Sequence, residues 1–234
     1  MITGAGMQMT ELDGPRQPPA SGRPARQLVV LVHGYGADGQ DLIGLAPYFA
    51  RLLPDAYFVA PNAPEPCEMA PVGYQWFPIG NFDEGERVRG VESAAPLLDT
   101  FIDRELARHA LDERQLVLFG FSQGTMMSLH VGLRRERAPA AIVGCSGMLV
   151  APDRLPTERR SDPPILLVHG DQDELLPVSH MFDAAQGLGA AGLTALWHVS
   201  QGVGHGIAED ALVLAGEFLT QALDGQLAGR DNEI

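Results

Sequence analysis

No lysine occurs in this chain: its sixteen basic residues are all arginine, against thirty Asp and Glu, for a formal charge of −14. A Schiff-base lysine, a Ser–Lys dyad and a phosphate-binding loop lysine are thereby excluded, together with the chemistries built on them. The acidic balance also argues against nucleic acid or an anionic membrane as partner, because both are held through positive charge. Cysteine is nearly absent as well. Cys67 and Cys145 lie far apart in a chain without a visible secretion signal, so they read as two free thiols. No CxxC, HExxH or EF-hand spacing occurs, and no apolar run approaches the ~20 residues that span a bilayer. Cytoplasmic localisation and no integral membrane association are the expectations, and neither a metal nor a cofactor is called for.

What is present is ordinary for a globular protein. The 234 residues, 45% of them hydrophobic, suffice for one compact domain with a large core. Residues 1–27 contain PRQPPASGRP and no hydrophobic periodicity, and are expected to form a flexible extension with a short strand near 10–12. Residues 28–224 form the domain, and 225–234 a flexible tail. LVVLVHG (28–34) is a continuous apolar run ended by glycine, as a strand buried on both faces should be. QLVLFG (115–120), AAIVGCSG (140–147) and PILLVHG (164–170) repeat it, with AYFVAP (56–61) and TALWHVS (194–200) as further strands. Val91, Ala95, Leu98, Ile102 and Leu106 make one stripe of a helix, and Ile207, Ala211, Leu214 and Phe218 another. Segments 41–50, 124–134 and 178–188 are shorter helices. This alternation predicts an α/β fold with a mostly parallel sheet covered on both faces, whose chemistry belongs at the carboxyl ends of the strands.

Those ends hold the unusual residues. Gly120-Phe121-Ser122-Gln123-Gly124 follows a strand and precedes a helix. A serine nucleophile on such a turn needs small neighbours, and the pattern is expected by chance only ~0.1 times here. The competing reading is a serine that merely caps a helix. A serine hydroxyl needs a base, and a base needs an orienting carboxylate. In PILLVHGDQDELLP, Asp171 and Asp173 follow a strand end; in GVGHGI, His205 lies in a glycine-rich loop. Among seven histidines His205 is preferred for its C-terminal place and flanking glycines. His33 and His169 end strands and read as structural, His109, His130 and His180 fall in helical patterns, and His198 is inside a strand. Asp173 is preferred as the acid, with Asp171 capping the turn that follows it. The backbone N–H groups of Tyr35 and Gln123 are the candidates for an oxyanion hole, the first in HGYGADG, which could instead be a plain glycine turn.

VLVHGYGADG, APNAPEP, the WF of YQWFPI, GFSQG, LLVHGDQDELLP and GVGHGI together resemble the bacterial phospholipase/carboxylesterase family of α/β hydrolases, relatives of the acyl-protein thioesterases, over about residues 28–219. The resemblance implies a hydrolase without a large cap, using Ser122, Asp173 and His205 on carboxylic esters or thioesters. It places the hole at the amides of Tyr35 and Gln123, and Trp76 and Phe77 near the acyl-binding groove. The chain departs from the thioesterase pattern at Ala37, an extra residue before Asp38, and around CEMAPVGYQWFPIG, in loops that shape the acyl pocket.

The expected function is that of a serine carboxylesterase, with lysophospholipase or thioesterase activity within its range and a small-molecule ester or thioester as its partner. Loops beside Trp76 are where a homodimer would pair. Two alternatives use the same fold: a non-catalytic small-molecule receptor, and an acyltransferase or perhydrolase with the same triad. A metal site at His169, Asp171 and Asp173 is disfavoured because no second ligand cluster accompanies it.

Overall fold

A computed structural model describes residues 11–81 and 83–227. Its centre is a seven-stranded sheet. In chain order the strands are β1 (Arg16–Gln17), β2 (Gln27–Val32), β3 (Ala56–Val59), β6 (Leu116–Phe121), β7 (Ala141–Cys145), β8 (Ile165–Gly170) and β9 (Ala195–Ser200); a separate two-stranded ribbon joins β4 (Glu65–Pro66) to β5 (Tyr74–Gln75). The spatial order is β1-β3-β2-β6-β7-β8-β9, parallel throughout except for antiparallel β1. Its helices are α1 (Gly39–Ile43), α2 (Ala46–Phe49), α3 (Glu84–His109), α4 (Gln123–Gly132), α5 (Leu155–Glu158), α6 (Ser179–Ala190) and α7 (Glu209–Leu223).

The apolar runs become strands because both faces are covered. Residues 28–32 are wholly buried, alternating between two cores: Leu28, Val30 and Val32 join the core of α3, α4 and α6, while Val29 and Leu31 join that of α1, α2 and α7. Each such side chain contributes roughly 2 kcal/mol of burial free energy. The α3 stripe lies as expected, and α7 buries Ala211, Ala215, Phe218, Leu219 and Ala222. Among the described residues, no helix is long and apolar enough to cross a membrane.

Three local expectations differ. The single helix over 41–50 is two, α1 and α2, separated at Gly44–Leu45, with Pro47 in the first turn of α2 and Asp38 and Asp41 closing a capping box on α1. The strand expected near 10–12 lies at Arg16–Gln17, where it pairs with Val59 and Phe58; Thr10 is outside the described residues. Residues 11–27, expected to be flexible, are built into the domain. Leu12 is buried in the core, and the Arg16 guanidinium bonds the fully buried Glu105 carboxylate at 2.9 Å. Prolines surround β1, which is tolerable at a sheet edge where one side needs no ladder. Residues 228–234 of the expected tail lie outside the described residues.

Candidate functional site

Ser122 occupies the sharp turn between β6 and α4, at φ 55° and ψ −118°. The turn exists because its neighbours lack side chains. A Cβ on Gly124 would fall 1.8 Å from the Val32 carbonyl oxygen, and one on Gly120 would fall 2.4 Å from that of Gly124. The Ser122 amide donates to the Cys145 carbonyl at 2.8 Å, which fixes the turn against β7. No side-chain cap bond is made at the start of α4, so the hydroxyl is free for another partner.

That partner is His205. Its Nε2 stands 3.0 Å from Ser122 Oγ and its Nδ1 stands 2.7 Å from Asp173 Oδ2, across 83 and 32 residues of chain. The Phe121 ring lies against the imidazole with centroids 5.0 Å apart. Asp173 follows β8 and has a fully buried side chain. Its Oδ1 accepts from the amides of Leu175 at 3.0 Å and Leu176 at 2.8 Å. Burial raises its pKa, but the Leu176 amide and the His205 imidazole outweigh this and hold the carboxyl below its usual range. An ionised carboxylate only accepts, so His205 donates from Nδ1 to Asp173, which turns its Nε2 toward the Ser122 hydroxyl.

His169, at the end of β8, supports the acid from below. Its Nε2–H donates to the Leu176 carbonyl at 2.7 Å, and the same nitrogen lies 3.1 Å from Asp173 Oδ2. Burial pushes its pKa down and keeps it neutral. Among the described residues no group of three or more His, Cys, Asp or Glu is arranged to hold a metal ion.

The loop after β2 closes on the serine from the other side. A Cβ on Gly34 would lie 3.0 Å from that of Ser122. His33 is buried and fixed in one tautomer: Nδ1–H donates to the Gly34 carbonyl at 2.8 Å and Nε2 accepts the Ala63 amide at 2.9 Å. Gly36 and Ala37 bond Tyr74 of β5. Within the described residues' hydrogen bonds, the amides of Tyr35 and Gln123 have no protein acceptor. Both amides belong to segments that border the serine, since Gly34 packs on Ser122 and Gln123 follows it.

Trp76 and Phe77 are 1% and 2% exposed, and Phe77 fills the space under Gly90, so both residues pack behind the site. The Trp76 indole donates to the His33 carbonyl at 2.9 Å. Exposed apolar side chains include Met69 and Val72, in the loop between β4 and β5, and Leu175, two residues after Asp173. Sequence reasoning missed these because isolated apolar residues in loops have no period. It also missed the side chain of Gln123, which binds the Trp76–Phe77 backbone.

Comparison with known proteins agrees with this architecture. The family model described as Phospholipase/Carboxylesterase matches residues 19–223. Esterase YpfH of Escherichia coli K12 is 26% identical over 221 residues, covering 91% of this chain and 94% of that protein. Acyl-protein thioesterase 1 of Gibberella zeae is 27% identical over 212 residues, 83% of this chain and 90% of that protein. The crystal structure of esterase PE8 superposes with a TM-score of 0.87 at 45% identity, covering 91% of this chain and 99% of that one.

Proposed function

The chain belongs to the phospholipase/carboxylesterase family of α/β hydrolases, whose chemistry is ester hydrolysis, and on that premise we propose that it works through an acyl-enzyme formed on Ser122. The observation that carries this reading is the unbroken relay from Ser122 Oγ through His205 to Asp173. Such a relay turns a poor nucleophile into a competent one at the moment of attack.

In the first half-reaction Ser122 Oγ attacks the acyl carbon while its proton passes to His205 Nε2. Asp173, held ionised, stabilises the imidazolium and fixes the ring's orientation. The amides of Tyr35 and Gln123 receive the negative charge that develops on the carbonyl oxygen, where one donor is worth about 10²–10³ in rate. The protonated imidazole then hands its proton to the departing alcohol or thiol. Water, deprotonated by the same nitrogen, attacks the acyl-serine and returns the enzyme.

The substrate class follows from the surroundings and the relatives. Met69, Val72 and Leu175 offer exposed apolar surface on loops at the same end of the sheet, fitting the acyl part of a small ester or thioester. Short to medium acyl chains suit a site without a large cap. Lysophospholipids fall within this class, as do thioesters of the kind named for the acyl-protein thioesterase relatives. A receptor on the same fold would need a cavity but no aligned proton relay, so the relay favours catalysis. An acyltransferase or perhydrolase would share the acyl-enzyme and differ only in its acceptor. Cytoplasmic operation accords with two free, buried thiols.

The test is a series of p-nitrophenyl esters and acyl thioesters of increasing length, run beside a fluorophosphonate probe. The native protein should hydrolyse members of the series and label at Ser122, and Ser122→Ala should do neither while remaining folded. Undiminished turnover by Ser122→Ala overturns the reading.

A further inference from the structure

Asp171 stands two residues before Asp173 and takes no part in the relay. Its expected role was to cap the turn that follows it. Instead it reaches sideways, its Oδ1 accepting the Gly202 amide at 2.6 Å. Two backbone bonds run beside that contact: the Asp171 amide donates to the Ser200 carbonyl at 3.1 Å, and the Gln172 amide to the Val203 carbonyl at 2.9 Å. Gly170 makes the approach possible, since a Cβ there would fall 2.2 Å from the Val203 oxygen and 2.5 Å from the Gly204 oxygen. Residues 170–172 therefore rest directly on 200–204, the stretch that leads into His205.

Little else restrains that stretch. A Cβ on Gly202 or Gly206 would touch nothing within 4 Å, so the loop is open at both glycines, and its packing comes from the Phe121 ring against His205 and from Ile207. Beyond His205 there is one contact from another strand end, Ser146 Oγ donating to the Gly206 carbonyl at 3.2 Å. Asp210, on α7, ties the end of β9 to the helix through Ser200 at 3.0 Å and His198 at 2.8 Å, but it does not reach 202–206. Beside the Asp173–His205 pair itself, the Asp171 carboxylate is a second charged side chain that crosses from the acid loop to the base loop.

We propose that Asp171 is a positioning residue, whose carboxylate fastens the His205 loop to the Asp173 loop so that the two partners of the 2.7 Å bond move as one body. The proposal rests on His205 acting as the base. Asp171 touches no reacting atom; it acts through the placement of the imidazole. Misplacing a reacting group by about 1 Å costs up to ~10²-fold in rate, and a glycine-rich loop freed of its anchor has room for such a shift.

The experiment compares Asp171→Ala with Asp171→Asn. Both remove the charge, but only asparagine keeps an oxygen able to accept the Gly202 amide, so the difference between them reads the hydrogen bond. Asp171→Ala should lower kcat on a p-nitrophenyl ester about 10–100-fold with KM within about twofold, and Asp171→Asn should recover to within about threefold of the native value. A native kcat in the alanine variant, or an asparagine variant as impaired as alanine, overturns the proposal. If the alanine variant folds in low yield, the rate of fluorophosphonate labelling per folded molecule supplies the same comparison, and a native labelling rate overturns it. Ser122→Ala run in parallel keeps the two readings apart. Turnover retained there rejects the acyl-enzyme, whereas its loss beside an unimpaired Asp171→Ala rejects the positioning role alone.

Discussion

The carboxamide of Gln123 grips the backbone of Trp76, its Oε1 accepting the Trp76 amide at 2.9 Å while its Nε2 donates to the adjoining Phe77 carbonyl at 2.8 Å. The residue after the serine, whose amide is proposed to serve a ligand, thus also holds the segment that walls the site. Gln123→Leu should leave two buried polar groups unpaired, at about 1–3 kcal/mol each. Thermal denaturation should show a clear loss of Tm, and kcat should fall as the wall loosens. An unchanged Tm would mean that the Trp76–Phe77 segment finds other partners.

Asp173→Asn tests the tautomer argument. The amide nitrogen of asparagine can donate to Nδ1, which stabilises the imidazole with its proton on Nε2, the wrong side for a base. The expected loss in kcat is about 10⁴-fold, with the protein still folded at neutral pH. A loss of only a few fold would show that the carboxylate does not set the tautomer.

Glycines around the relay should divide sharply. Gly124→Ala places a methyl group 1.8 Å from the Val32 oxygen and cannot be relieved by a side-chain rotation. It should cost more than about 3 kcal/mol of stability and most of the activity, the scale of overpacking at its upper end. Gly206→Ala, next to His205, meets no atom within 4 Å and has no positive φ, so activity and Tm should stay near native. Paired measurements of kcat and Tm would expose any reversal of this order.

Acid stability should depend on a histidine outside the site. Burial pushes His130 on α4 down to about 4, with Arg134 and Arg154 lowering it further and Glu158 and Glu92 opposing. The unfolded chain takes up a proton near 6.5, and the native state resists until about 4, so stability drains away as pH falls through that window. Because Nδ1 of His130 has no hydrogen-bond partner, His130→Leu sacrifices little at pH 7. The variant should lose less Tm than the native protein between pH 7 and 4.5. Equal losses would assign the acid sensitivity to other groups.

Much of this architecture is legible in the sequence for simple reasons. Strands buried on both faces must be continuous apolar runs, and β2, β6, β7 and β8 are found within a residue or two of those runs. Ser122, Asp173 and His205 could be selected because each is flagged by a strand end, a glycine or the chain order. The rest had no local mark. β1 pairs by backbone alone, so its side chains need no alternation, and the prolines around it imitate a linker. The Gln123–Trp76 bond spans 47 residues and leaves no spacing to detect. Asp171 was legible as a polar turn residue, but its partner at Gly202 is 31 residues away.

The stitched beginning of the chain sets a practical boundary. Trimming at residue 28, where the apolar texture starts, would bare the outer rim of β3 and strip Arg16 from a carboxylate that has no access to water. Arg108 alone would then face Glu105, and a naked strand rim invites other chains to pair with it. A shortened version designed from hydropathy would therefore clump, although every residue of the relay would still be in it.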